Sequence, residues 1–182
     1  MAGHIQDRLW EVALDQYGYV TSRDARALGI APIELVKLAA RDQLERVGHG
    51  IYRFPQLPVE PLGTYMLAAL WAGEDGVLSH DTALDIYELC DVNPAKVYLT
   101  TPHRKPRKRG GETYLVHREN LEPEDVTRYE GLPIVTPATA VRQAIENGLP
   151  SRLATDAIRN ARSRGLIDAE SAALLSDTLE RR

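Results

Sequence analysis

The chain has 182 residues, 43% of them apolar and 26% charged, so it can bury a real core and global disorder is excluded. A formal net charge of -4 excludes a protein that coats nucleic acid over its whole surface, though not one that carries a local basic patch. No apolar run approaches the roughly 20 residues that cross a membrane, and no basic segment followed by a greasy stretch opens the chain; a soluble, unexported, cytoplasmic protein is expected.

In chain order, Ile5, Leu9, Val12 and Ala13 recur at helical spacing, Leu14 broadens the stripe, and the pattern stops before Gly18. Thr21 with Asp24 three residues on resembles a capping box for a second helix over 22–28, and Gly29 stands where helices end in a left-handed residue. Pro32 suits the first turn of a third helix over 32–42, with Leu35, Leu38 and Ala39 as its buried stripe. Then the period changes. Leu44–Val47 and Ile51–Phe54 are β-rich around Gly48-His49-Gly50, which predicts a hairpin. Three short helices followed by a hairpin is the winged helix-turn-helix arrangement.

Pro55, Pro58 and Pro61 crowd one seven-residue segment and predict a domain boundary between a unit over 1–54 and a second over 62–182. Leu62–Ala72 reads as a largely buried helix closed by Gly73–Gly76. Ser79 can cap the next, which runs through Leu84 to Leu89. Val97–Thr100 and Thr113–His117 read as strands, and Leu132–Val135 as a short edge strand. Helices follow from Pro137 to about Asn147, over 151–164, and over 169–180 behind Asp168 as cap. The fold class is therefore α/β (α+β): an N-terminal winged helix-turn-helix, then a small mixed α/β domain with C-terminal helices.

Charge is distributed unevenly. Residues 1–57 carry seven basic and seven acidic side chains, whereas 58–148 carry nine and fourteen. Five of those nine, Arg104, Lys105, Arg107, Lys108 and Arg109, stand in six consecutive positions between the strands expected at 97–100 and 113–117. Such a cluster has no packing use and is tolerated in solvent or against a polyanion, so it is either a solvated hairpin loop or a phosphate contact. The third helix of a winged domain enters the major groove by its N-terminal residues. Away from its apolar stripe it offers Glu34, Lys37 and Arg41; the second helix adds Arg23 and Arg26, and the wing adds Arg46, His49 and Arg53. Glu34 either accepts from a cytosine amino group or repels phosphate.

At this point the chain resembles the AbiEi family, antitoxins of type IV toxin–antitoxin systems and related bacterial transcriptional regulators. The resemblance lies in Tyr17–Thr21, Ala25–Ile30 and Leu44–Arg53, and continues in Val77–Leu84, Val97–Thr100 and Gly131–Pro137. It implies a repressor that binds inverted repeats in double-stranded DNA near its own promoter. It also implies a nucleotidyltransferase-like toxin, countered without a stable complex. The basic surface of the family's second domain falls here on Arg104, Lys105, Arg107, Lys108 and Arg109. A stand-alone regulator without a toxin, and a protein-binding adaptor built on a winged helix, are the alternatives.

Enzymatic readings have little support, and neither a cofactor nor a metal is expected. Ser79-His80-Asp81 are chain neighbours on a helix about 100° apart, which does not make a catalytic relay; a capping serine beside a surface or partly packed histidine is expected. His103 and His117 flank the basic segment and would approach if its strands pair, without a third zinc ligand. Glu122, Glu124 and Asp125 are clustered acids, which alone do not hold magnesium. Cys90, the one cysteine, lies in the apolar stretch Ile86–Cys90 and reads as a small packed side chain.

Overall fold

A computed structural model describes residues 2–103 and 112–182. The first helix, α1 (Ala2–Leu14), buries Leu9 and Ala13 completely and lays Ile5, Trp10 and Val12 against the same cluster. Leu14 does not widen this stripe as expected: one residue beyond Ala13 it has turned about 100° away and is 57% exposed. Trp10 takes up that role, its ring edge-on to Phe54 at 5.0 Å.

Beyond Gly18 the chain forms strand β1 (Tyr19–Thr21). Thr21 then caps α2 (Ser22–Ala27) in the expected capping box: its hydroxyl accepts from Asp24 N–H while the Asp24 carboxylate accepts from Thr21 N–H. Gly29, at φ +70°, turns the chain out of α2. The third helix, α3 (Ile33–Ala39), is shorter than the expected 32–42. Pro32 stands one position outside it as N-cap, and at the other end Asp42 adopts a left-handed φ of +56° while Gln43 N–H returns to Leu38 O. That closure leaves Arg41 in the turn rather than on the helix.

The hairpin is present as β2 (Glu45–Gly48) and β3 (Ile51–Arg53), antiparallel, with a register shift between Arg46 and Gly48. Gly50, at φ +69°, makes the turn, and a Cβ there would stand 3.2 Å from Ser22 Oγ. β1 pairs antiparallel with β3 to complete a three-stranded sheet in the order β1-β3-β2. Its sheet and helices enclose Leu9, Val20, Ala25, Leu35, Leu38, Leu44, Tyr52 and Phe54. This is a winged helix.

The chain divides into two compact units between Glu74 and Asp75, not at the proline-rich segment. Helix α4 (Gly63–Ala72) groups with the first unit, its first residue, Gly63, lying beside Tyr17 and Tyr19. Three prolines stiffen a connection without making it a boundary.

The second unit is built on a five-stranded mixed sheet in the order β6-β5-β4-β8-β7, from β4 (Val77–Leu78), β5 (Val97–Thr101), β6 (Tyr114–Arg118), β7 (Val126–Tyr129) and β8 (Leu132–Val135). Two expectations change here. β5 and β6 run parallel, Val97 opposite Tyr114 through Thr101 opposite Arg118, so the two strands are not the arms of a hairpin. β8 is interior rather than an edge: β7 pairs antiparallel on one side and Leu78 of β4 pairs with Ile134 on the other. β4 and β7 are too short or too polar to show a period. Helix α5 (His80–Ile86) packs on β5 and on α6 (Pro137–Glu146), which is capped by Thr136; α7 (Ser151–Ser163) and α8 (Ala169–Glu180) complete the layer, α8 behind the expected Asp168 cap.

Candidate functional site

Helix α3 exposes one face. Leu35 and Leu38 are buried at 0% and 4%, which turns residues 33, 36, 37 and 40 outward at i, i+3, i+4 and i+7. This outward stripe holds Ile33, 54% exposed, Val36, 47% exposed, and Lys37. Lys37 Nζ donates to Glu34 Oε1 at 2.7 Å, so the most direct cation on the helix is already paired. Arg41 is exposed but lies past the helix, so Lys37 and Arg41 do not share one helical face as the longer helix would have had them.

The remaining expected contacts separate by exposure. Arg26 and Arg46 are exposed, as is His49 at the tip of the wing; Arg46 Nε donates to Gly48 O across the bulge at 3.4 Å. Arg23 is half-exposed, with Glu74 Oε2 at 3.8 Å. Arg53 is different. It is 8% exposed, in the strand between β1 and β2, and donates to Leu57 O, so it holds the segment after the wing and is removed from the contact set. Arg104, Lys105, Arg107, Lys108 and Arg109 lie outside the described residues.

In the second unit the structure brings together groups that the sequence scattered. His80 is 5% exposed, not a surface residue, and its backbone adopts φ +50°, a strained region for a non-glycine residue. Ser79 stands at the N-cap of α5 but its hydroxyl makes no cap. Thr100 Oγ1 donates to Ser79 Oγ at 2.8 Å, and Ser79 Oγ lies 3.0 Å from His80 Nδ1. Gln143 Nε2 reaches Thr100 Oγ1 at 3.4 Å and Glu119 Oε2 at 2.6 Å, and Arg142 holds the other oxygen of Glu119. The His80 ring stacks on His117 at 3.9 Å. His117 therefore meets His80 rather than His103, whose Nε2 sits 2.8 Å from Asp75 Oδ2. Burial, with His117 and Arg142 adding repulsion, pushes the His80 imidazole down to about 3, and burial also lowers His117.

Adjacent Ser79 and His80 do touch, against the simple angular expectation, because His80 sits in a left-handed conformation. The pair is nevertheless poorly placed for catalysis. Ser79 is fully buried, and an imidazole near 3 is a weak base at neutral pH. Gln143 was the residue sequence reasoning missed. Its signal was a polar side chain on the stripe Ala140, Ala144 of an apolar helix face, and it is 1% exposed.

The remaining clusters have structural uses. Asp125 accepts from Glu122 N–H and from Thr139 Oγ1, closing a single 3-10 turn on α6. Burial, reinforced by Asp81, Asp156, Asp91 and Asp85, pushes the half-buried Cys90 thiol up to about 11, where it is protonated and unreactive. Among the described residues no group of three or more His, Cys, Asp or Glu side chains is placed to hold a metal ion, and no helix is long and apolar enough to cross a membrane.

Residues 7–55 match the model of a family described as transcriptional regulator, AbiEi antitoxin. No curated protein matches the chain. Among solved structures, the chain is similar to the crystal structure of the RV2827C protein from Mycobacterium tuberculosis, with 17% identity, a TM-score of 0.48, and coverage of 96% of this chain and 77% of that one.

Proposed function

The first unit carries, over residues 7–55, the domain of the AbiEi antitoxin family of transcriptional regulators, and from that premise we propose that the protein is a DNA-binding repressor of its own promoter and the antitoxin of a type IV toxin–antitoxin system. The observation that carries this reading is a coincidence of extents. The family match ends at residue 55, and the winged helix runs from α1 through β3, ending at Arg53. In such a domain α3 lies in the major groove and the wing beside it lies along the backbone. Arg23, Arg26, Lys37, Arg41, Arg46 and His49 are the proposed contacts of this unit, and Arg104, Lys105, Arg107, Lys108 and Arg109 are proposed as further phosphate contacts.

The operator is an inverted repeat, read by two copies of the winged helix. The functional partner is a nucleotidyltransferase-like toxin, neutralised without a stable complex. No cofactor or catalytic step is assigned. Gel-shift titration on the region upstream of the gene, at two salt concentrations, tests the repressor. A shift that weakens as salt rises supports it, and no shift at either salt refutes it. Co-expression with a neighbouring nucleotidyltransferase-like protein tests the antitoxin. Relief of growth arrest supports that role, and its failure alongside a positive gel shift leaves a stand-alone regulator.

A further inference from the structure

The outward face of α3 offers an unexpected chemistry to a base pair. The positions of this recognition helix that turn outward towards base edges are 33 and 36 in its N-terminal half and 37 in its last turn. Two of the three are branched aliphatics left in solvent, Ile33 at 54% and Val36 at 47% exposure. The fold does not use them. Leu35 and Leu38 already fill the inner side, and the buried cluster of the unit contains neither Ile33 nor Val36. The third position, Lys37, has its ammonium held by Glu34 at 2.7 Å.

An aliphatic side chain in the major groove finds its best complement in the 5-methyl of thymine; the oxygens, ring nitrogens and amino groups of the base edges are donors or acceptors that a methyl leaves unsatisfied. We infer that Ile33 and Val36 select the operator by packing on thymine methyl groups, so that each half-site presents thymines to the N-terminal half of α3. The inference rests on the repressor reading and names its specificity determinants.

Charge favours DNA over a second copy of the protein as the occupant. Arg26 precedes the turn into α3, Arg41 follows its last residue, and Arg46 and His49 lie on the wing, all exposed. The apolar stripe thus has cations before and after it in the chain, suited to phosphates around a groove. Area argues the same way. Two half-exposed aliphatic side chains fall several-fold short of the about 800 Å2 per partner that a stable protein interface buries.

The test replaces thymine by uracil, which removes the methyl and leaves every hydrogen-bonding group unchanged. The full chain is first used to select duplexes from a randomised library, and the selected sequence is then synthesised with deoxyuridine at each thymine in turn. Deoxyuridine at the contacted positions should weaken wild-type binding about fourfold per methyl, the equivalent of one buried methylene. Ile33→Ala and Val36→Ala should each bind thymine and uracil duplexes within twofold of each other at the position its own side chain contacts, with melting temperatures close to wild type because both side chains are exposed.

Equal wild-type affinity for thymine and uracil duplexes overturns the inference while leaving the repressor intact. Selected duplexes without a preferred thymine also overturn it. If the two alanine variants change sedimentation but not DNA affinity, the face is a protein contact and the inference fails. No binding to any duplex refutes the repressor reading itself, a result distinguishable from the others.

Discussion

Replacing His80 by asparagine should make the second unit less sensitive to acid. The unfolded chain takes up a proton on this imidazole near pH 6.5, whereas the folded protein does so only near 3. Between those values the unfolded state binds more protons, so stability is full above about 6.5 and is lost progressively as pH falls towards 3. At pH 4.5 the protein is two units below the unfolded value, and at 1.36 kcal/mol per unit the contribution is about 2–3 kcal/mol. His117, lowered by burial, acts with the same sign; Asp81, raised by burial, acts with the opposite one, and both remain in the variant. Asparagine suits the site because it adopts a φ of +50° more readily than most residues and its amide can bond to Ser79 Oγ, yet it does not titrate.

Urea unfolding followed through amide signals of β5 and α5 reports on this unit alone. From pH 7 to pH 4.5 the wild type should lose about 2–3 kcal/mol more than His80→Asn. The His80 ring-proton signal should not shift over the same range. A ring signal titrating at pH 6 or above, or equal acid losses in the two proteins, would refute the reasoning.

Thr21→Ala should destabilise the first unit by about 1 kcal/mol, read from thermal unfolding, because it removes the acceptor for Asp24 N–H. Phe54→Ala should cost about 3–5 kcal/mol, since Phe54 is fully buried and edge-on to Trp10; Trp10 fluorescence follows the loss. Glu34→Gln should release Lys37 and steepen the dependence of log affinity on log salt by up to about 0.9, with tighter binding to specific and scrambled duplexes alike. Changing Arg104, Lys105, Arg107, Lys108 and Arg109 together to glutamine should flatten that slope by about 2–4 units while keeping the specific-to-scrambled ratio; an unchanged slope would show a segment that only meets solvent.

Local rules were enough wherever an element is stabilised by its own neighbours along the chain. The Thr21–Asp24 capping box, the Gly29 exit, the Asp168 cap and the glycine turn of the wing all depend on residues at most a few positions apart, so sequence alone determined them. The three helices of the winged helix likewise each bury apolar residues visible in their spacing, Leu9 and Ala13, Ala25, and Leu35 and Leu38.

Tertiary structure decided what depends on distant partners. Strands β1, β4 and β7 have two to four residues, too few to show a period, and exist because β3, β5 and β8 supply their hydrogen bonds. Parallel pairing of β5 with β6 is equally invisible in either strand, since side chains alternate with the same period in both directions. Burial sorted the candidate site in the same way: Arg53 reads like Arg46 in sequence, but its strand is central in the sheet and that of Arg46 is at the edge. The buried line from His80 through Ser79 and Thr100 to Gln143 joins residues 63 positions apart, and only the packing of α6 beside α5 and β5 brings them within hydrogen-bonding distance. Sequence determines what a residue can exchange with its near neighbours; which face meets solvent, and which polar group must find a distant partner, follows only once the layers have closed.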